Sequence, residues 1–281
     1  MPHFPDLIDT GGLRLRPLTR ADIDTDIDTI ARQLRDPRVG RWLAAVAQPF
    51  GAAEAKALLD HADQDDVHLR GIERDGKLVG CLCIGATLWY WLAPEQFAQG
   101  IMRQALTAAI AARFATPAPP ITATCHEDNA ASRALLQRLG FGLSPARRRM
   151  FFHGTGRAEP CRDYILAPEQ WHLLRPPAID IAGLTLHPAR QTDMAVLARV
   201  PSAPGPWPDG ATLAGFIETH RFRGAGHGLF VIRDGNRRDI GLALVHAGET
   251  AVCFVSAEDD SRHRTHVEAA LAHGLTPLLN P

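Results

Sequence analysis

The stretch TLWYWLAPEQFAQGIMRQALTAAIAARFA (87–115) decides the fold of this chain. It begins as an aromatic-rich strand that Pro94 stops, continues through the loop EQFAQG, and becomes a helix at Gly100. The apolar residues of the helix follow helical spacing and predict one buried stripe: Ile101, Met102, Ala105, Leu106, Ala109, Ile110 and Phe114. The first amides of such a helix lack a partner within it, so they can hold an anion.

The segments around this stretch predict an α/β fold. Downstream, ITATC (121–125) alternates as a strand and NAASRALLQRLGF (129–141) is typical of a short helix. Asp128 or Asn129 can cap that helix, and Gly140 fits the position after its end. Two more strands are expected around 147–153 and 163–166. The full order, β-α-α-β-β-β-α-β-α-β-β, predicts a mixed sheet with helices on both faces.

A degenerate internal repeat indicates a second domain. GLRLRPLTRADID (12–24) and GLTLHPARQTDMA (183–195) are each a strand, a proline and the start of a helix. GIERDGKLVGCLCIG (71–85) and LFVIRDGNRRDIGLAL (229–244) are each a hairpin around an Arg-Asp-Gly turn. Because these landmarks keep their order, we expect residues 178–281 to be a truncated copy of the first fold.

The proline-rich segment LAPEQWHLLRPPAI places the domain boundary near Arg175–Pro177, which gives domains 1–176 and 177–281. In the second domain AVCFVSAED (251–259) stands where TLWYWLAP stands in the first. No glycine follows it, and three carboxylates would repel a phosphate: Glu258, Asp259 and Asp260. We therefore expect no cofactor site there. We also expect one uncovered sheet face, because nothing matches ITATC before Pro281.

Composition excludes several classes of protein. Thirty basic and 31 acidic residues give a net charge of −1, without the basic excess of a nucleic-acid binder. Five cysteines do not indicate a disulfide framework, and no metal-ligand spacing occurs. No apolar run has the roughly 20 residues of a membrane helix, and no signal peptide is recognisable. We expect a cytoplasmic protein with no metal, nucleic-acid or membrane partner; a homodimer stays open.

Six segments in order carry a resemblance to a known family: LRLRPLTRADID, DPRVGRWL with AQPF, DGKLVG, YWLAPEQFAQGIMRQAL, NAASRALLQRLGF and RDYILAPEQW. The chain resembles the GNAT superfamily of N-acetyltransferases, in the RimJ/RimL branch of ribosomal-protein N-terminal acetyltransferases. The resemblance covers residues 12–174. It implies the acyl-CoA N-acyltransferase fold, with acetyl-CoA as co-substrate and an amine as acceptor.

The resemblance also implies a set of site residues. The pyrophosphate would lie on the loop and helix start formed by Phe97, Ala98, Gln99, Gly100, Ile101, Met102 and Arg103. The pantetheine arm would pair with the backbone of a strand that splays from its neighbour, at Trp91, Leu92 and Ala93. Asn129 would reach the cofactor arm, and Ser132 would lie near the thioester sulfur as the catalytic residue.

Each of these residues also has a simpler interpretation. Asn129 can be only a helix cap, Ser132 only a residue of the first turn, and Trp89 with Trp91 only core. His126 and Glu127 stand where a general base could sit, or are exposed loop residues. Two departures from the family put turnover in doubt. Met102 could crowd the pyrophosphate, and Leu136 replaces a tyrosine that many relatives carry.

The acceptor follows from amine chemistry. An α-amine with a pKa near 8 is roughly one tenth neutral at pH 7, whereas a lysine amine is about 0.04% neutral. Because the pattern fixes no carboxylate base, an acceptor of low pKa is favoured: a protein N-terminus or a small-molecule amine. The alternative is a GNAT-fold module that binds an acyl-CoA or a protein without turnover.

Overall fold

The computed structural model describes residues 4–18, 20–46, 49–61, 67–115, 118–175, 178–199, 207, 213–222, 227–246 and 249–272. They divide into two compact units, with the division between Ala167 and Pro168 and with Ala115 in the second unit. The division lies before helix α6 (Pro168–Leu174), whereas the sequence placed it after that helix. Within the second unit, the buried His172 ring of α6 meets Phe222 edge-on at 5.3 Å, which ties α6 to this unit.

The first unit contains two antiparallel sheets. The five-stranded sheet has the order β1-β2-β3-β4-β5, with strands Ile8–Thr10, Leu13–Pro17, His68–Arg74, Lys77–Ile84 and Leu88–Leu92. The three-stranded sheet has the order β6-β8-β7, with β6 at Ile121–His126, β7 at Gly142–Phe152 and β8 at Arg157–Leu166. A parallel bridge between Thr87 and Thr122 joins the sheets and makes the arrangement mixed, as predicted.

Helices cover both faces of the five-stranded sheet. On one face lie α1 (Arg20–Arg35), α2 (Pro37–Gly40) and α3 (Ala52–His61), which share a core with Cys81 and Trp91. On the other lies α4 (Ile101–Phe114), whose buried residues are the predicted stripe together with Arg113. The short helix α5 (Ala130–Leu139) has Asn129 as its N-cap and ends at Gly140, which has a φ of 98°. The sequence therefore predicted α4 and the α5 caps correctly.

The second unit is built on a five-stranded antiparallel sheet of order β13-β12-β11-β10-β9. Its strands are β9 Ile179–Ile181, β10 Leu184–Pro188, β11 His227–Arg233, β12 Asp239–His246 and β13 Glu249–Phe254. Its helices, besides α6, are α7 Met194–Leu197, α8 Leu213–Thr219 and α9 Ala257–Leu271.

The five-stranded sheets of the two units correspond strand by strand. A Cβ added at Gly80 of β4 would lie 2.5 Å from the Trp91 carbonyl oxygen, and one at Gly241 of β12 would lie 2.5 Å from that of Cys253. The Ala93 amide donates to the Val79 carbonyl at 2.8 Å, and the Val255 amide donates to the Ile240 carbonyl at 2.8 Å. The end of β5 thus has its counterpart at the end of β13.

The predicted uncovered sheet face of the second unit is wrong. One face carries a core that includes Val267 and Leu271 of α9, and the other carries a core that includes Val196 of α7 and Ile217 of α8. Strands β6 to β8 of the first unit have no counterpart among the described residues of the second unit. Counterparts of these strands would lie beyond β13, at the edge of the five-stranded sheet. Their absence from the described residues of this unit leaves an edge open, not a face.

Candidate active site

The two sheets of the first unit separate immediately beyond their bridge. At the bridge the Thr122 amide donates to the Ala86 carbonyl at 2.9 Å. From Leu88 to Leu92, β5 pairs with β4 on one side, and among the described residues it has no ladder partner on the other. This is the splay that the resemblance implied, and it opens one edge of β5.

Strand register decides which backbone groups face the splay. Because the Ala93 amide donates to Val79, the odd-numbered residues of this stretch direct their backbone groups toward β4. The even-numbered residues Tyr90 and Leu92 therefore direct theirs toward the open edge. Of the three residues implied for the pantetheine arm, only Leu92 presents its backbone there; Trp91 and Ala93 do not. The sequence missed Tyr90, because register depends on the partner strand.

The Trp91 side chain belongs to the core. It is 3% exposed, its indole donates to Gln33 Oε1 at 2.9 Å, and its ring stacks on Trp89 at 5.9 Å. The simpler interpretation of Trp89 and Trp91 as core is thus confirmed for Trp91, and Trp89 packs against the same cluster.

The loop between β5 and α4 points backbone amides outward. Ala98 and Gly100 have positive φ angles of 60° and 77°, which is uncommon for an alanine and marks local strain. The first hydrogen bond of the helix runs from the Gln104 amide to the Gly100 carbonyl at 3.0 Å. The amides of Ile101, Met102 and Arg103 therefore precede the helical ladder, and free amides beside left-handed residues are an arrangement that can hold an anion.

The side chains around this loop support it. Gln99 donates to the Glu95 carbonyl at 2.9 Å and accepts from Arg74 at 2.5 Å, so it braces the loop from within. Arg103 is exposed, and Phe97 is 43% exposed. Met102 is only 8% exposed. Its side chain lies in the interior with the rest of the α4 stripe, and not over the loop, where it could crowd a pyrophosphate.

Asn129 and Ser132 meet at the start of α5. The Asn129 side chain accepts the Ser132 amide at 3.1 Å, so its oxygen serves as the helix cap. The Ser132 hydroxyl lies 2.7 Å from the phenol oxygen of Tyr90. The thiol of Cys125, near the end of β6, donates to the His126 carbonyl at 3.5 Å, and the Ser132 side chain acts to lower its pKa. The sequence did not indicate Tyr90 as part of this site, because it lies 42 positions from Ser132 in the chain.

The phenol and the thiol in this cluster stay protonated at neutral pH. Burial raises the pKa of Tyr90 well above its usual value, although the Ser132 hydrogen bond acts the other way. Burial likewise raises the pKa of Cys125. Neutral hydroxyl groups can donate hydrogen bonds to a developing thiolate, but they do not accept a proton from an amine.

The His126 ring accepts a backbone hydrogen bond. Its Nδ1 accepts the Asp128 amide at 3.0 Å, so the ring proton resides on Nε2. Trp42 and Phe152 pack edge-on against it at 5.4 and 5.3 Å. In this state His126 offers a donor instead of a basic lone pair. Glu127 Oε1 lies 3.9 Å from the Arg162 guanidinium.

The corresponding region of the second unit is built differently. Helix α9 begins two residues after Val255, whereas α4 begins eight residues after Ala93. Ser256 caps α9 by accepting the Asp259 amide at 3.1 Å, and three carboxylates occupy its first turn. Arg264, which pairs with Asp260 and Glu268, donates to the Val252 carbonyl at 3.0 Å. Val252 is the counterpart of Tyr90, so this carbonyl lies on the open edge of β13.

Neither a metal-binding cluster nor a membrane-spanning helix occurs in the part of the chain that the structure describes. It contains no group of three or more histidine, cysteine or acidic residues that could hold a metal ion. It also contains no helix with the length and apolar character needed to cross a membrane.

The family match to known proteins falls almost wholly on the first unit of the chain. Residues 12–142, slightly under half of the chain, match the family model described as an acetyltransferase (GNAT) domain. The curated proteins give no match. The solved structure of RimL, a ribosomal L7/L12 alpha-N-protein acetyltransferase in complex with coenzyme A, is 18% identical, with a TM-score of 0.50; the match covers 57% of this chain and 97% of that one.

Two other solved structures are similar to the same degree. RimJ of Mycobacterium smegmatis, in complex with CoA-disulfide, is 20% identical with a TM-score of 0.50, covering 62% of this chain and 91% of that one. A probable acetyltransferase is 19% identical with a TM-score of 0.51, covering 59% and 98%. At such identities the likeness concerns the fold. The matched segment contains the open edge of β5, the loop 97–103 and Ser132, so the candidate site lies within the part of the chain that matches an acetyltransferase (GNAT) domain.

Proposed function

We propose that the first unit transfers the acetyl group of acetyl-CoA to a primary amine. The observation that carries the proposal is the junction of β5 and α4, where an open strand edge leads into a loop of outward-pointing amides. A pantetheine arm and a pyrophosphate need these two features next to each other, and the GNAT family match supports the pairing.

In this proposal the cofactor lies along the junction. The pyrophosphate accepts from the amides of Ile101, Met102 and Arg103, and the exposed Arg103 guanidinium adds a charge contact. The pantetheine amides pair with the backbone of Leu92 and Tyr90. The Asn129 amide nitrogen contacts the arm, because the side-chain oxygen is already used by the cap. This places the thioester near Ser132.

The acceptor is an amine of low pKa. The Tyr90 and Cys125 side chains remain neutral and His126 offers a donor, so these side chains provide no base strong enough for a lysine amine. A protein N-terminal α-amine meets the requirement, and so does a weakly basic small-molecule amine. RimL, which shares the fold, is described as an α-N-protein acetyltransferase. The five cysteines are free and buried, which fits the reducing cytoplasm.

For the second unit we propose a truncated GNAT-like copy that binds no acetyl-CoA. Its sheet repeats the order of the first, but its helix starts without a glycine loop and with acidic residues. In this proposal residues 177–281 are a structural domain through which two copies of the chain can form a homodimer. A non-catalytic module is the second candidate function, because Leu136 is buried core at 1% exposure and supplies no phenol.

The test is an acetyl-CoA turnover assay with the full chain. CoA release is followed against a panel of peptides with free N-termini, the same peptides with blocked N-termini and an internal lysine, and small amines. We expect release with free N-termini or weakly basic amines. Saturable acetyl-CoA binding without release for any acceptor would favour the non-catalytic module. Absence of both would refute the proposal.

A further inference from the structure

The Ser132 hydroxyl contacts a side chain of β5, the strand that borders the splay. Trp89 and Trp91 face the helices α1 to α3, so by alternation the Tyr90 side chain faces the opposite side of β5. There its phenol oxygen lies 2.7 Å from Ser132 Oγ. The backbone of the same residue faces the open edge. Tyr90 therefore joins the groove wall to the hydroxyl at the start of α5.

The hydrogen-bond inventory of the two hydroxyl groups limits how this contact can serve a sulfur atom. A serine hydroxyl has one hydrogen and two acceptor lone pairs, and a tyrosine phenol is a donor of comparable capacity. In the contact between Tyr90 and Ser132 either oxygen could be the donor. Ser132 has a single hydroxyl hydrogen. When that hydrogen is donated to a sulfur atom, the contact with Tyr90 requires the Tyr90 phenol to donate and the Ser132 oxygen to accept.

We propose that Tyr90 is a positioning residue that fixes the Ser132 hydroxyl rotor, so that its hydrogen points at the thioester sulfur. This inference rests on the proposed acetyl transfer. In that reaction the amine nitrogen attacks the carbonyl carbon, the C–N bond forms and the C–S bond breaks. The electron pair leaves on sulfur as a thiolate, which takes up the proton that the amine nitrogen loses. Ser132 donates a hydrogen bond to the departing sulfur and keeps its own proton.

Position 136, where many relatives carry a tyrosine, is a leucine in this chain, and this fits a phenol supplied from another element. Leu136 lies on α5 and is 1% exposed, so this position contributes to the core and provides no hydroxyl. The phenol that contacts Ser132 is supplied by β5 instead. Tyr90 and Tyr164 are the two tyrosines of the chain, and the Tyr164 phenol accepts from Arg133 Nε at 3.4 Å. Tyr164 is fully buried, which makes it a matched control for loss of an internal phenol.

The experiment is a double-mutant cycle in the full chain. Ser132→Ala is expected to lower kcat roughly ten- to a thousandfold, and Tyr90→Phe roughly tenfold, both with little change in acetyl-CoA affinity. Because Tyr90 acts through Ser132, adding Tyr90→Phe to Ser132→Ala is expected to cause no further loss. Tyr164→Phe is expected to keep wild-type kcat.

The outcomes separate this inference from the proposed function. An inactive wild-type chain refutes acetyl transfer itself. An active wild type with an unchanged Tyr90→Phe variant refutes the positioning role alone. Additive losses in the double variant also overturn it, because Tyr90 would then act independently of Ser132. Thermal unfolding and acetyl-CoA titration of each variant identify a loss of kcat that arises from misfolding or from weaker binding.

Discussion

The junction between β5 and α4 in the first unit and the junction between β13 and α9 in the second are built differently. In the first, α4 begins eight residues after Ala93, and the intervening loop exposes the amides of the helix start. In the second, α9 begins two residues after Val255, and Ser256 with Asp259 satisfies the helix start internally. The third residue of each helix is Arg103 in one and Asp259 in the other. A short insertion and a reversed charge thus distinguish a candidate anion site from a closed junction.

The largest expected effect tests whether the two sheets are equivalent. Gly80→Ala and Gly241→Ala each place a Cβ 2.5 Å from a backbone carbonyl oxygen. Since backbone cannot yield as a side chain does, each substitution is expected to lower the free energy of unfolding of its own unit by about 2–4 kcal/mol. Chemical unfolding followed by circular dichroism measures this. Gly215→Ala, where nothing lies within 4 Å, is the control and should not destabilise. A tolerated Gly241→Ala would show that the correspondence is only topological.

The second effect sharpens the difference between the junctions. Gly100→Glu brings a carboxylate to the proposed pyrophosphate site and is expected to weaken acetyl-CoA binding about a hundredfold, or about 2.7 kcal/mol. Gly76→Glu is the matched control, because Gly76 has a similar φ of 71° and open space around it, as Gly100 has. Isothermal titration of the full chain should find one site. Equal affinities of the two variants would argue against this loop as the site.

The third effect concerns the reversed charge. Arg103→Ala is expected to weaken acetyl-CoA binding about five- to tenfold, and the loss should diminish at high salt because an exposed charge contact is screened. Asp259→Ala should leave the affinity unchanged if the second unit is empty. If the titration shows a second acetyl-CoA site whose presence depends on residue 259, the second unit does bind the ligand and that view is wrong.

The smallest effect separates a helix cap from a ligand contact. Asn129→Ala and Ser256→Ala each remove a side-chain cap and are expected to lower the free energy of unfolding by about 1 kcal/mol. Asn129→Asp keeps the capping oxygen and removes the amide nitrogen. It should retain stability and weaken acetyl-CoA binding. If it binds as the wild type does, Asn129 is a cap and nothing more.

Local patterns in the sequence determined several features of this protein. The helical spacing of α4 and the capping residues of α5 depend on residues within a few positions, and the structure contains both as predicted. The same is true of the strand that precedes the glycine loop. The repeat landmarks also predicted a second set of hairpins, although the turn of the second is five residues (234–238) where that of the first is two (75–76).

Tertiary structure decided what the site offers. Strand register turned Leu92 and Tyr90 toward the splay and used the Ala93 amide for pairing with β4, and a one-residue shift would have reversed this. The packing of α4 on the sheet buries the Met102 side chain. The contact between α5 and β5 places the Ser132 hydroxyl within hydrogen-bond distance of the Tyr90 phenol. The sequence fixes which residues are apolar, polar or able to turn. Which polar groups meet depends on contacts between distant segments, whose geometry no local pattern contains.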